Sequence, residues 1–101
     1  MDKLQKECAA IAIRRGKITQ DDLIIPDMHK FIDAAINELF EARECIDKEQ
    51  YKNEIINDKP EGLAIEFIDT IRVLLTGLEC LGINFETVMI LKHKYELGRE
   101  D

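Results

Sequence analysis

The sequence predicts an all-α fold of four helices joined by short connections, in a single domain that covers residues 1–101. Apolar residues recur at steps of three and four along successive stretches of the chain, which is the spacing of a helix face. No stretch shows the strict alternation of apolar and polar residues that is typical of a strand. Gly16, Gly82 and Gly98 follow three of the helical stretches, and glycine commonly ends a helix.

The first predicted helix covers residues 2–15, and a connector at residues 17–27 follows it. The second helix begins near Pro26 or Asp27 and ends near Lys48. Its apolar residues form a heptad-like seam that we expect to face a partner helix. The seam consists of Met28, Ile32, Ala35, Leu39, Ala42 and Ile46.

The polar segment at residues 49–59 either prolongs the second helix irregularly or forms a mobile loop. The third helix is expected to begin around Pro60, a favoured first-turn residue, and to end at Gly82. Most positions between 63 and 81 are apolar, so this helix is expected to be central. Asn84 is a suitable cap for a fourth helix at residues 85–97, and residues 99–101 form a short tail.

Composition limits the classes of partner. The formal net charge of −7 argues against binding a nucleic-acid polymer, but a metal ion can invert the local charge and admit a small phosphorylated ligand. Cys8, Cys45 and Cys80 are widely spaced within apolar stretches, which predicts buried free thiols in a reducing compartment. No apolar run has the length of a membrane span, and no signal peptide is recognisable. A cytoplasmic protein is therefore expected.

Two pairs of acids, Glu38 with Glu41 and Glu66 with Asp69, have a three-residue spacing that places each pair on one helix face. Either pair alone also fits an ordinary exposed face. On the third helix, the alternative is a continuous polar stripe: Glu66, Asp69, Arg72, Thr76 and Glu79. Together, on two neighbouring antiparallel helices, the pairs would bring four carboxylates close to one another. Such a cluster needs a cation, and oxygen ligands favour Mg²⁺ or Mn²⁺.

At these acids the chain resembles the MazG-like family of all-α nucleoside triphosphate pyrophosphohydrolases. The family pattern is E-E-x-x-E, a spacer and E-x-x-D; Glu38 and Glu41 match its first half, and Glu66 and Asp69 its second. The resemblance covers roughly residues 28–99. It includes residues 66–85, EFIDTIRVLLTGLECLGINF, and a tail at 92–99, KHKYELGR, similar to K-x-x-Y-N-x-x-R. The chain departs from the pattern at Asn37, where a Glu is usual, and at Glu96, where an Asn is usual.

The resemblance implies a four-helix MazG-like bundle completed by homo-oligomerisation. It implies a homodimer, which the seam and the small size of the domain also favour. It implies that the four acids hold Mg²⁺, with Mn²⁺ as an alternative. Lys92 and Arg99 would contact the phosphates of a nucleoside triphosphate, with Lys94 and Tyr95 as weaker candidates.

The expected reaction is metal-dependent hydrolysis of a nucleoside triphosphate to the monophosphate and pyrophosphate, a nucleotide house-cleaning activity. Glu41 is the expected catalytic base for the attacking water. Two alternatives stay open: a related dUTP or phosphoribosyl-ATP pyrophosphohydrolase, and a catalytically silent helical interaction module. No membrane partner is expected.

Overall fold

The computed structural model describes residues 2–51, 54–56 and 58–99, and these are mostly helical, as the sequence predicts. The predicted ends of the first, second and fourth helices agree with the structure to within one or two residues. The α-helices are α1 (Asp2–Arg14), α2 (Met28–Asp47), α3 (Leu63–Cys80) and α4 (Phe85–Leu97). A short 3-10 helix, Gln20–Leu23, lies in the first connector, and two short strands, β1 (Glu54–Ile56) and β2 (Lys59–Glu61), precede α3.

The chain, predicted as one domain, divides into two compact units. The first unit is drawn from Met1–Pro26 and Leu75–Asp101, and the second unit is Asp27–Leu74. All four predicted metal ligands belong to the second unit. The predicted phosphate-binding residues belong to the first. Of the predicted tail, residues 100 and 101 lie outside the described residues.

The first unit is held together by a buried polar side chain on α1. Gln5 is fully buried, and its Nε2 donates a hydrogen bond of 2.6 Å to the carbonyl of Ile83. Its Oε1 accepts a hydrogen bond of 2.9 Å from the backbone N–H of Phe85, in the first turn of α4. Asn84 caps α4 as predicted, because its side chain accepts from the N–H of Thr87 at 3.0 Å. A single glutamine therefore joins α1 to the turn between α3 and α4.

The buried side of α2 differs in part from the predicted seam. Ala35 and Ala42 are buried, but Ile32, Leu39 and Ile46 are about half exposed within this chain. The buried line runs instead through Phe31, Ala35, Ala42 and Cys45. The two lines lie on adjacent sides of the same helix, and apolar periodicity alone does not say which of them faces the chain's own core.

The polar segment after α2 is neither an irregular helix nor a simple loop, because it contains an antiparallel hairpin. Ile55 pairs with Pro60, and Asp58 has the positive φ of 62° that a tight turn requires. Pro60 thus belongs to β2, and α3 begins later than predicted because Gly62, with φ of 127°, is not helical. Within the segment at 49–59, residues 52, 53 and 57 lie outside the described residues.

Cys8, Cys45 and Cys80 are all buried and free, as the sequence predicts; the reducing compartment stays a prediction. Within the described part of the chain, no single helix is long and apolar enough to cross a membrane. The joined pair of α3 and α4 reaches that length and composition only with a bend of 104° between the two helices.

We expect Gln5→Ala to lower the free energy of unfolding by about 3 kcal/mol, because two backbone groups lose their hydrogen bonds to a buried side chain and a cavity forms. Urea denaturation followed by circular dichroism measures this change. Glu7→Ala, an exposed position on the same helix, is the matched control and should change stability by less than about 0.5 kcal/mol. Equal stabilities of the two variants would contradict the role of Gln5.

Candidate functional site

Helix α2 carries the first acid pair. It begins after Asp27, whose Oδ1 accepts a hydrogen bond of 3.1 Å from the N–H of His29. Glu38 lies on the buried line of this helix, about one turn from Ala35 and one turn from Ala42, and is half-buried. Glu41 follows one turn later and is exposed. The first pair therefore has one member turned toward the interior of the unit and one at its edge.

Helix α3 carries the second pair in its first two turns. The N–H of Glu66 donates to the carbonyl of Gly62 at 3.1 Å, and the Thr70 hydroxyl donates to the carbonyl of Glu66 at 2.9 Å. Glu66 is only 9% exposed, and Asp69 is half-buried. The positive end of the helix dipole favours a carboxylate in the first turn, so the backbone partly offsets the cost of burying Glu66.

In the first two turns of α3, polar side chains are more buried than their apolar neighbours. Glu66 and Thr70 are buried, whereas the apolar residues Phe67 and Ile68 are 48% and 50% exposed. The alternative of an exposed polar stripe is wrong, because none of its members is fully exposed. Glu66 and Thr76 are buried, and Asp69, Arg72 and Glu79 are half-buried.

The two helices bring three of the four predicted metal ligands together. Glu38, Glu66 and Asp69 each offer one carboxylate oxygen, and these oxygens all lie within 4.8 Å of one another. Glu41 is outside this group of three, but its carboxylate is close enough to act on Glu38 and Glu66. The structure thus places Glu41 at the edge of the acid cluster formed by Glu38, Glu66 and Asp69.

The cluster strongly disfavours a negative charge on Glu66. The pKa of Glu66 is raised from its ordinary value of 4.5 to about 7, and burial is the largest cause. A hydrogen bond to Glu41, which only the protonated carboxyl can donate, adds to the shift, as do the charges of Glu41 and Asp69. Burial also raises the pKa of Glu38, followed by repulsion from Glu41 and Asp69. Without a cation, the cluster therefore retains a proton near neutral pH.

One buried oxygen atom of the cluster lacks a hydrogen-bond partner. Oε2 of Glu66 is buried and accepts no hydrogen bond. A buried acceptor without a donor is costly, and it is rare in folded proteins. The nearby carboxylates are acceptors themselves when they are ionised, so they cannot donate a hydrogen bond to this oxygen. A cation among the oxygens of Glu38, Glu66 and Asp69 would do so, and three convergent carboxylates are a suitable ligand set for Mg²⁺ or Mn²⁺.

A polar cavity of about 190 Å³ opens beside the acid cluster, and Glu41 and Glu66 line it. Cys45 lines it too. Burial, followed by the charges of Glu66 and Glu61, raises the pKa of its thiol, so the sulfur stays protonated and is a poor metal ligand. The atoms available to coordinate a metal ion are thus hard oxygen atoms. The remaining lining residues are Glu44, Lys48, Gln50, Lys59 and Glu61.

The predicted phosphate-binding residues form a separate cluster on α4, in the first unit. Glu96 pairs with Lys92 and, at 3.3 Å, with Arg99. Both cations also lie over the ring of Tyr95, at 5.0 and 5.7 Å from its centroid. Lys94 is exposed on the same helix. The structure therefore brings Lys92, Tyr95 and Arg99 together, with Glu96 neutralising part of their charge.

The sequence prediction missed the cationic residues of the cavity. Lys48 lies seven residues, about two helical turns, after Glu41, so helix periodicity alone places the two on one side of α2. Many other pairs of residues have the same spacing, so the spacing did not single out Lys48. Lys59 reaches the cavity through the hairpin, and no periodicity in the sequence indicated that it would.

We expect the metal-free protein to lose stability as the pH rises from 4.5 to 7. In this window the folded chain keeps a proton on Glu66 that the unfolded chain has released, so rising pH favours unfolding. The contribution should be present in full below pH 4.5 and be lost by pH 7, an effect of roughly 1–3 kcal/mol. Denaturant unfolding in EDTA across this range measures it.

Glu66→Gln isolates the contribution of the Glu66 proton to the free energy of unfolding, since other groups also titrate in this range. The variant keeps the shape of the side chain without an ionisable proton, so it should lack this pH dependence and exceed the parent in stability above pH 7. Glu7→Gln, at an exposed position, should behave as the parent. Identical pH profiles for the parent and Glu66→Gln would show that Glu66 does not hold the proton.

Compared with models of protein families, with curated proteins and with solved structures, the chain matches none of them. The MazG-like resemblance therefore stays a prediction from the residues quoted above.

Proposed function

We propose that this protein binds Mg²⁺ or Mn²⁺ at the acid cluster and hydrolyses nucleoside triphosphates to the monophosphate and pyrophosphate. The observation that carries the proposal is the buried Oε2 of Glu66, which has no donor and lies among other carboxylates. The buried free thiols suit a reducing compartment, which is consistent with a house-cleaning role in the cytoplasm.

A divalent cation relieves three costs at once. It gives Oε2 of Glu66 a partner, it removes the repulsion among Glu38, Glu66 and Asp69, and it allows Glu66 to ionise near neutral pH. Two helices of one unit supply all three ligands, so a cation would also join α2 to α3. These effects together make the acid cluster a better candidate for a metal site than an exposed group of acids.

Mg²⁺, when bound, neutralises charge on a polyphosphate and acidifies a coordinated water. The chain's own residues would hold the ion through Glu38, Glu66 and Asp69 and leave space for a substrate in the cavity. Glu41 lies at the edge of the cluster and lines the cavity, so its carboxylate is placed to accept the proton of an attacking water. Water would add to the α-phosphorus as pyrophosphate departs, which gives NTP + H₂O → NMP + pyrophosphate.

The proposal includes a homodimer. Ile32, Leu39 and Ile46 are spaced by seven residues, are about half exposed and form a seam along α2. In the first unit, α4 has no buried residue, although it contains several large apolar side chains. Exposed apolar surface of this extent is usually covered by a partner. A second copy of the chain would cover it, as the MazG-like resemblance implies.

We expect sedimentation velocity to give twice the chain mass of 11.7 kDa. Leu39→Lys should weaken the dimer by at least about tenfold in Kd, because it places a charge in the apolar seam. Asp33→Lys, at an exposed position on the same helix, is the control and should leave the mass unchanged. A parent protein with the mass of one chain at micromolar concentration would contradict the dimer.

We expect the parent to release pyrophosphate, and not orthophosphate, from at least one member of a panel of ribo- and deoxyribonucleoside triphosphates with Mg²⁺. Glu38→Gln and Asp69→Asn should each lower kcat by at least about 100-fold, because each removes a metal ligand. Glu7→Gln should retain the parent rate. Ion-exchange chromatography separates pyrophosphate from orthophosphate and measures the rate at which each is released.

Thermal unfolding with and without Mg²⁺ provides a second measurement that does not depend on the substrate panel. A cation that binds only the folded chain stabilises it, by about 2.7 kcal/mol at 100 times its Kd. The parent and Glu7→Gln should gain this stability, and Glu38→Gln and Asp69→Asn should not. Absence of pyrophosphate from every triphosphate would refute the hydrolase, and equal Mg²⁺ responses in all four proteins would refute the metal site.

A further inference from the structure

The cavity beside the acid cluster combines two kinds of charge. Four glutamates and two lysines line it: Glu41, Glu44, Glu61, Glu66, Lys48 and Lys59. The acids alone would repel an anion, and the lysines alone would not hold a divalent cation. A ligand that carries its own divalent cation and several negative oxygens would satisfy both groups.

Lys48 reaches the cavity from the end of α2. It is the residue at which the helix ends, and its backbone N–H still donates to the carbonyl of Glu44 at 3.0 Å. The position of its side chain is thus tied to the helix that carries Glu38 and Glu41. Among the described residues, Lys48 makes no ion pair, so no carboxylate there must be displaced before its ammonium binds an anion.

Lys59 reaches the same cavity from the hairpin. It is the first residue of β2 and pairs with Ile56 across the turn. Its Nζ lies 3.7 Å from Oε1 of Glu61, and the Lys59 side chain is 76% exposed. An exposed pair of this length contributes little to stability, so a phosphate oxygen can replace Glu61 at small cost. The hairpin is anchored where it meets α3, because the N–H of Leu63 donates to the carbonyl of Gln50 at 2.9 Å.

The size of the cavity restricts what enters it. Pockets that enclose a whole small molecule typically have about 300–1,000 Å³. The volume here is about 190 Å³, and its lining is dominated by charged residues. A polyphosphate chain fits these properties, whereas an enclosed base and sugar do not.

We infer that Lys48 and Lys59 bind the polyphosphate chain of the substrate while the acid cluster holds its metal ion. The inference rests on the proposed function for the identity of the metal-binding acids, and it deepens that function by assigning the phosphate contacts. It replaces the earlier expectation for Lys92 and Arg99, whose charge is shared with Glu96 in the other unit.

The test is equilibrium binding of inorganic triphosphate with Mg²⁺, measured by isothermal titration calorimetry. Lys48→Gln and Lys59→Gln should each raise Kd by about tenfold, the loss of one charge-assisted hydrogen bond. Lys17→Gln removes the same charge at an exposed position in the first unit and should leave Kd unchanged. Lys92→Gln should also leave it unchanged.

The outcomes separate this inference from the proposed hydrolysis. Binding that weakens in both cavity variants supports the inference even if the parent hydrolyses no nucleotide, in which case only the hydrolase fails. Hydrolysis by the parent with unchanged triphosphate binding in both variants overturns the inference and leaves the hydrolase intact. Failure of the parent to bind triphosphate with Mg²⁺, or a loss of binding in Lys92→Gln alone, also overturns it.

Discussion

The buried carboxylate of Glu66 is the constraint on which the site depends. Its Oε2 lies out of contact with water and accepts no hydrogen bond, and the other acids of the cluster disfavour its charge. A proton on Glu66 relieves this conflict, and a bound cation would relieve it as well. Gly62 allows α3 to begin just ahead of Glu66, and the helix dipole then supports the carboxylate. Local backbone structure thus holds in place a group that the surrounding side chains disfavour.

The same constraint is reflected in which side chains are buried around the acid cluster. A helix normally turns its apolar side inward, yet here Glu38 and Glu66 lie further inside than Leu39 and Phe67. This arrangement sacrifices part of the hydrophobic stabilisation available to one chain. Covering the exposed apolar side with a second copy would restore it, so the proposed metal site and the proposed dimer would together compensate for this loss.

The sequence predicted the helices well because their signals are local. Gly16, Asn84 and Gly98 mark helix ends through the backbone conformation of one or two residues, and apolar spacing marks the helices themselves. The spacing of the acids and the family resemblance also predicted correctly that Glu38, Glu66 and Asp69 lie close together. The sequence prediction missed the hairpin, because a three-residue strand has too few positions for alternation to be seen and its turn depends on Asp58. The cavity and Lys59 depend on that hairpin, so they were missed with it.

The proposed polyanionic ligand is compatible with an acidic chain only if the local charges at the site favour it. The net charge of −7 repels such a ligand at a distance, so attraction must arise locally. On α4, Glu96 already offsets one of its two neighbouring cations, and a phosphate there would meet a weakened field. At the cavity, a divalent cation on the acids would remove the local repulsion, and Lys48 and Lys59 would then act on the phosphate oxygens at short range. The proposed recognition would require the metal first, because without it the same cavity presents four glutamate side chains to the ligand.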